Sequence, residues 1–349
     1  MQTGKTALCL GSSGFVGHHM ARRLKKEGYW VRVVDIEPYR YGEVDFCDEF
    51  VLADLRDPKV VDAVFRLNEN REYSFLPEPF EQLTQFDEVY NFACLMGGAL
   101  YVFTGENDSD IMHDSALINL NVCNAVKNFK GKLFYSSSAC VYPKGLQEST
   151  YNQGLKESDA FPADPDSCYG FEKLFSEKLY MAYSRNHELN IRIARFHNIY
   201  GPEGQYLDPK AKAPAAMCRK VIELLHATTS ENHNQIEVWG DGLQTRSFLY
   251  IDDCVDAVRL LMESDFKEPI NIGSEEMISI NGLAKLVIEF SGKEIQIKNV
   301  ASNAIGVKGR NSNNDLIRKV LNWEPKYSLR EGLEKTFNWI KSRYELDNN

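Results

Sequence analysis

Gly11-Ser12-Ser13-Gly14-Phe15-Val16-Gly17 follows the apolar run Ala7-Leu8-Cys9-Leu10 and opens a helical stretch reaching about Lys26. Glycines at a strand–turn–helix junction permit a tight turn and let a pyrophosphate approach the positive helix N-terminus. The spacing is G-x-x-G-x-x-G rather than G-x-G-x-x-G, and a glycine triplet alone is weak evidence. Its context strengthens it. Gly28 ends the helix, Trp30–Asp35 reads as a second strand, and Asp35 closes that strand. An acid there accepts hydrogen bonds from a ribose diol and repels a 2′-phosphate, which favours NAD over NADP. Asp54-Leu55, after a third strand at 50–53, is placed to hold the adenine edge, with a helix N-cap as the plain alternative for Asp54. Gly11, Gly14, Phe15, Val16, Gly17, Asp35, Asp54, Leu55 and Ala93 are therefore the expected cofactor contacts.

Working outward, strands are expected at 88–93, 132–137 and 190–195, with helical stretches at 115–129 and around Tyr169 and Lys173. Strands alternating with helices imply βαβ units and a parallel sheet. Beyond residue 200 the pattern loosens. Helices are expected at 214–225, 280–290 and 329–344, and short strands at 248–251 and 270–272. Residues 68–85, with Pro77 and Pro79, read as an irregular insertion, and 226–235 as a polar surface loop. The fold class expected is α/β: a Rossmann-type doubly wound parallel sheet with a smaller, mixed C-terminal substrate-binding domain. The cofactor domain would comprise 1–198 and 245–273, and the substrate domain 199–244 and 274–349.

The 349 residues carry a formal net charge of −10, leaving no basic face for nucleic acid. The eight cysteines are scattered, with no C-x-x-C pair, which argues against a zinc site or a disulfide framework. No metal is expected, and the setting expected is the reducing cytosol. No apolar signal segment precedes the first strand, and no stretch reaches membrane-span length.

Tyr169 and Lys173 stand one helical turn apart and project from one face. A nearby ammonium lowers a phenol's pKa and helps it accept a proton from a substrate hydroxyl. Ser138, at the end of the fifth strand, can hydrogen-bond the same oxygen. Two residues on, Cys140 offers a thiol beside this hydride-transfer set. Its plain reading is a small buried thiol.

With these residues the chain resembles the extended short-chain dehydrogenase/reductases acting on nucleotide sugars, and among them the enzymes that epimerise GDP-mannose at C3 and C5. The likeness spans nearly the whole chain. It is carried by 137–143 (SSACVYP), 155–160 (LKESDA), 195–202 (RFHNIYGP), 212–216 (KAPAA), 239–248 (WGDGLQTRSF) and 309–312 (GRNS).

The resemblance implies NAD-dependent oxidation at C4 of a GDP-sugar, inversion at C3, C5 or both through an enolate, and re-reduction. It makes Cys140 and Lys212 the acid/base pair and Ser138, Tyr169 and Lys173 the redox set, with the last two also on NAD. Gly98, Ser138, Ala139, Cys140, Asn198, Lys212, Lys220, Gln244, Arg246 and Arg310 become the expected contacts to sugar and diphosphate. It also implies a homodimer built by pairing helices.

The likeness breaks at Cys94-Leu95, where family members usually carry Ala-Asp, and at Ala99-Leu100-Tyr101. That loop is expected to face the sugar, so a GDP-linked hexose or heptose related to mannose is the expected substrate class. A nucleotide-sugar 4-epimerase or 4,6-dehydratase is the alternative. A simple 4-epimerase leaves Cys140 and Lys212 unexplained, and dehydratases usually carry Asp-Glu where this chain has Ala139-Cys140. A non-catalytic NAD-binding scaffold would have no use for the intact redox set.

Overall fold

The computed structural model describes residues 4–67, 85–207, 210–227, 234–302 and 306–348. All but the last residue of the insertion expected at 68–85, and the centre of the loop expected at 226–235, lie outside the described residues.

Burial on both faces of the strands decides the layering. In Thr6–Leu10 (β1), Ala7 and Cys9 enter one core, while Leu8 and Leu10 enter the other. In Trp30–Asp35 (β2), Val31 and Val33 divide in the same way from Trp30 and Val34. Such strands need helices on both sides, which is the setting of parallel sheets.

Between β1 and β2 runs Phe15–Lys26 (α1). Glu49–Leu52 (β3), Pro58–Phe65 (α2), Glu88–Asn91 (β4), Ala99–Val102 (α3), Asp108–Ala125 (α4), Lys132–Ser138 (β5), Cys168–His187 (α5) and Asn190–Phe196 (β6) follow. Next come Ile199–Tyr200 (β7), Ala213–His226 (α6), Gln235–Trp239 (β8), Thr245–Ser247 (β9), Leu249–Tyr250 (β10) and Ile251–Glu263 (α7). Ile270–Ile272 (β11), Met277–Ser279 (β12), Ile280–Ser291 (α8), Gln296–Val300 (β13), Gly309–Arg310 (β14), Asp315–Leu321 (α9) and Leu329–Asp347 (α10) complete the order.

The main sheet has seven strands in the order β11-β6-β5-β4-β1-β2-β3, paired in parallel throughout. The chain builds outward from β1 in one direction, then returns to β4 and builds in the other. Sheets of this kind bind ligands at the C-terminal strand ends beside that reversal. The glycine turn, Ala93 and Ser138 all lie there. β9 pairs with β12 and β14 in a separate small sheet.

Two expected elements shift. α4 starts at Asp108, well before the expected 115. The strand expected through residue 251 stops at Tyr250, and α7 begins at Ile251 with Asp252 and Asp253 in its first turn. Acids there favour a helix start through its dipole.

A buried ion pair sets α5 against the sheet. Glu177 accepts from Arg195 on β6 at 2.9 and 2.8 Å and from the Ser137 hydroxyl on β5. Both charged side chains are almost wholly buried. Removing one partner of such a pair typically costs about 3–5 kcal/mol. Since Tyr169, Lys173 and Glu177 follow at helical spacing, the pair fixes the angle at which the first two meet β5.

His197, at the end of β6, is fully buried, with Nε2 3.0 Å from Asn271 Oδ1. Burial pushes its pKa down to about 3, so the fold holds it neutral. The unfolded chain takes up this proton near pH 6.5. Its contribution is therefore complete above about pH 6.5 and falls as pH drops toward 3, by about 1.4 kcal/mol per pH unit. In urea melts, His197→Asn should flatten the loss of stability between pH 7 and 5 by about 2 kcal/mol. An unchanged slope would show that His197 is not the acid-sensitive group.

Candidate active site

At the glycine turn Gly11 has φ +69°, and a Cβ there would lie 2.5 Å from the Ala93 Cα. Only glycine suits both the backbone conformation and this approach. Asp35 pins the turn: one carboxylate oxygen accepts from Ser13 N at 2.9 Å and the other from Glu37 N at 3.0 Å. Gly14 caps α1 without a side-chain hydrogen bond, so the helix end presents bare N–H groups. Phe15 and Val16 occupy the first turn, and Gly17 packs on Ser12. These features fit a dinucleotide diphosphate on the turn and a ribose near Asp35.

Asp54 is not a helix cap; Asp57 caps α2. Asp54 is paired with Arg56, which also reaches Asp114, and hydrogen bonding to Arg56 holds its carboxylate below the usual range. The Leu55 side chain is buried in the core, and its carbonyl accepts from Asn121 Nδ2 at 3.1 Å.

β5 ends at Ser138, whose hydroxyl accepts from Cys140 N at 3.2 Å and so caps the 3-10 turn Ala139–Val141. Ser167 caps α5 by accepting from Gly170 N at 3.2 Å, which starts that helix immediately before Tyr169. Lys173 Nζ donates to Ser136 O at 2.8 Å and lies 5.7 Å from the Tyr169 ring centroid. The sequence reading has the ammonium lowering the phenol's pKa. In the structure burial pushes it well above its ordinary value, the thiols of Cys94 and Cys140 add to the rise, and a hydrogen bond with Ser138 opposes it.

Cys140 and Lys212 come from distant segments to one place. Lys212 is the N-cap residue of α6, which the early proline, Pro214, helps to start. Desolvation pushes the Lys212 ammonium down, while Cys140, Cys94 and Cys254 nearby pull it back up. Cys94, Leu95, Met96, Tyr101, Phe103 and Cys140 pack against Val102, Ile111 and Tyr169. The loop in which the family likeness breaks thus lies directly on Tyr169. It also touches the Lys212 segment. A Cβ on Gly98 would sit 2.3 Å from Ala211 O, and Lys210 Nζ lies 5.4 Å from the Tyr101 ring centroid. Cys168 points away, toward Asp108.

The remaining expected contacts are held by the protein. Asn198, at φ +46°, donates to Ser247 O at 2.9 Å. Lys220 Nζ donates to Glu237 O at 2.6 Å and covers the Trp239 ring. Gln244 Nε2 donates to Trp239 O at 3.0 Å. Arg246 donates to the carbonyls of Thr245 and Val307, and burial followed by the neighbouring Arg310 brings its pKa down to about 10. Arg310 contacts Cys140, Asp166 and Gln147. Asp166 and Gln147 are missed by sequence reasoning, since nothing in their spacing connects them to Cys140.

His18 and His19 on α1 and Glu203 bring three possible metal donors together. Their atoms are already engaged: Arg22, His18 and Tyr39 hold Glu203, and His19 meets Pro202 O at 3.0 Å.

A glycine turn on a doubly wound sheet, with serine, tyrosine and lysine converging at the adjoining strand ends, defines a dinucleotide-dependent oxidoreductase-type site. Residues 7–273 match the NAD dependent epimerase/dehydratase family, and the chain belongs to that family. It is 43% identical to GDP-mannose 3,5-epimerase of Arabidopsis thaliana over 97% of this chain and 82% of that protein. UDP-glucose 4-epimerase from Thermotoga maritima, solved with UDP-glucose, shares the fold at TM-score 0.79 and 23% identity, over 97% of this chain and 99% of that one. UDP-glucose 4-epimerase from Thermus thermophilus, solved with NAD, does so at TM-score 0.76 and 22% identity, over 96% and 99%. The expectation of NAD as cofactor agrees with the family.

Proposed function

We propose that the chain epimerises a GDP-linked sugar, GDP-mannose or a close relative, at C3, C5 or both. The observation that carries this reading is the meeting of Cys140 and Lys212 at the Ser138/Tyr169/Lys173 set. The 43% identity to a GDP-mannose 3,5-epimerase supports the nucleotide and the sugar. Gly11, Gly14, Phe15, Val16, Gly17, Asp35, Asp54, Leu55, Ala93, Tyr169 and Lys173 would hold NAD, which supplies reversible removal of hydride from C4.

Tyr169 would take the C4 hydroxyl proton in its ionised form, which Lys173 and the positive charge of bound NAD would favour against the burial that raises its pKa, and would later return it, with Ser138 hydrogen-bonding the same oxygen. While C4 is a ketone, the C–H bonds at C3 and C5 are acidic, because either carbanion is an enolate. Cys140 and Lys212 then remove a proton from one side of the ring carbon and supply one from the other. Gly98, Ala139, Asn198, Lys220, Gln244, Arg246 and Arg310 are the proposed neighbours of the sugar and diphosphate. The cofactor domain is proposed as 1–198 and 245–273 and the substrate domain as 199–244 and 274–349, with Gly98, Ala139, Asn198 and Arg246 reaching the sugar and diphosphate from the first. Purified protein incubated with GDP-mannose should yield C3 or C5 epimers by proton NMR. Conversion only at C4, or loss of water from C6, would replace this reading with the 4-epimerase or 4,6-dehydratase.

The active form is proposed to be a homodimer. Phe171 and Phe175, one turn apart on α5, are 46% and 48% exposed, and α4 beside them exposes Met112 and Leu120. An apolar helix face of this kind suits a second copy of itself across a two-fold axis. Phe175→Arg should convert the dimer to a monomer in sedimentation velocity. A monomeric wild type would contradict the assignment. The eight cysteines are all free thiols, consistent with the cytosolic setting proposed, and no helix among the described residues is long and apolar enough to cross a membrane.

A further inference from the structure

Glu203 lies in the loop after β7, at φ +62°. A non-glycine residue in that left-handed region is uncommon and is held there by its surroundings. Here the holding groups come from two segments of the proposed dinucleotide side. Arg22 of α1 donates through both terminal nitrogens, at 3.1 and 3.2 Å. Tyr39, from the segment after Asp35, donates its hydroxyl to the same carboxylate. His18, fully buried on α1, has its Nε2 3.0 Å from Glu203 Oε2. Burial alone would raise the carboxyl's pKa, yet His18, Tyr39 and Arg22 hold it well below the usual range, so the charge is kept.

The contacts run on into the glycine turn. His18 Nδ1 and the His18 backbone N–H both meet Gly14 O, at 2.9 and 3.1 Å. Gly14 caps α1, the helix end proposed for the diphosphate. The next residue, His19, meets Pro202 O at 3.0 Å through Nε2. Phe15, first in α1, packs on the same loop: a Cβ on Gly201 or Gly204 would lie 3.5 Å from its ring. Tyr41, close to Tyr39, donates to Gly204 O at 3.3 Å. One carboxylate thus ties the first turn of α1 to the segment that Asp35 leads into, the two places a diphosphate and a ribose would meet.

We propose that Glu203 is a positioning residue for the dinucleotide: through His18 it steadies the Gly14 carbonyl, and through Tyr39 the segment after Asp35. It acts through these side chains rather than on the nucleotide. This rests on the NAD reading of the glycine turn and is independent of which sugar is bound. A glutamine keeps the size of Glu203 but not its charge, and hydrogen bonds to charged groups are about twice as strong as neutral ones. A net loss at the lower end of their range is about tenfold in affinity.

The test compares the NAD-loaded wild type with Glu203→Gln and with Tyr39→Phe, a milder change that removes one contact and leaves the carboxylate. Release of bound NAD is followed by exchange with isotopically labelled NAD, GDP affinity by calorimetry, and stability by urea melts. NAD release should quicken about tenfold in Glu203→Gln and less in Tyr39→Phe, with GDP affinity within about twofold of wild type. If stability falls while NAD release is unchanged, Glu203 only clamps the loop to the helix, and the proposal fails alone. If NAD release and GDP affinity worsen alike, the carboxylate steadies the fold as a whole, and the proposal again fails. If Glu203→Gln does not fold, Tyr39→Phe decides by the same split. A wild type that holds no NAD overturns the dinucleotide reading and this proposal with it.

Discussion

Cys140→Ala should lose hydrogen exchange at C3 and C5 of the sugar by about 10²–10⁴-fold, the range contributed by a well-placed general acid or base. Lys212→Ala should do the same. Cys140 packs beside Tyr169, but neither change removes a group of the glycine turn or of the Ser138, Tyr169 and Lys173 set, so cofactor and GDP binding should persist. The two losses should also be far from additive, because a carbon is inverted only if one group removes a proton and the other supplies one. A double variant is expected to be little worse than either single variant. Exchange that continues unchanged in Cys140→Ala would remove the thiol from the mechanism, leaving it as packing beside Tyr169. Near-complete retention in Lys212→Ala would return that lysine to the role of a cap residue on α6.

Tyr169→Phe is expected to cost a similar factor, about 10²–10⁴-fold, but at a different stage. It removes the hydroxyl that exchanges a proton with the C4 oxygen and leaves Cys140 and Lys212 in place. With an ordinary GDP-sugar no ketone forms, so no C–H bond is acidified and exchange stops. With a GDP-sugar already oxidised at C4, Tyr169→Phe should restore exchange at C3 or C5, whereas Cys140→Ala should not. This crossed pattern separates the redox group from the proton-transfer pair without relying on overall turnover. Failure of the 4-keto substrate to restore exchange in Tyr169→Phe would mean that the phenol also handles the ring protons. Its closeness to Cys94 and Cys140 is what makes that outcome worth separating.

Local signals carried much of the fold. The glycine turn, the apolar β1 and Asp35 at the end of β2 are neighbours in sequence, so the strand–turn–helix geometry of the proposed dinucleotide half is legible from the chain. The Tyr169 and Lys173 pair is legible for the same reason, since helical spacing alone puts both on one face. The start of α7 was obscured because Phe248-Leu249-Tyr250-Ile251 is an apolar run, and short apolar runs do not distinguish strand from helix start. The Arg310 arrangement was invisible for another reason. Its partners lie 144, 163 and 170 residues away in the chain, and only the tertiary fold brings them together. Asn198 and Lys220 illustrate a third limit. Their residue types suit sugar and phosphate, but in the fold their donors meet backbone carbonyls of Ser247 and Glu237.

The loop from Cys94 to Tyr101 connects the legible part with the rest. Sequence marks it as a departure from the family pattern. The structure shows what the departure touches: Cys94 joins the cluster on Tyr169, and Gly98 abuts the backbone just before Lys212. Exchanging Cys94-Leu95 therefore changes the wall against Tyr169 and beside the segment before Lys212, which is where selection among hexoses and heptoses is proposed to be exerted.

The most direct test of the account follows single hydrogens. Wild-type protein is incubated with GDP-mannose in D2O, and the sugar protons are read by NMR. Loss of the C3 or C5 proton signals, with the C4 proton retained and no net consumption of added cofactor, is the expected result: the C4 hydrogen leaves and returns within one turnover, while the neighbouring protons pass to and from side chains that exchange with water. Retention of the C3 and C5 protons together with epimerisation at C4 would contradict the account.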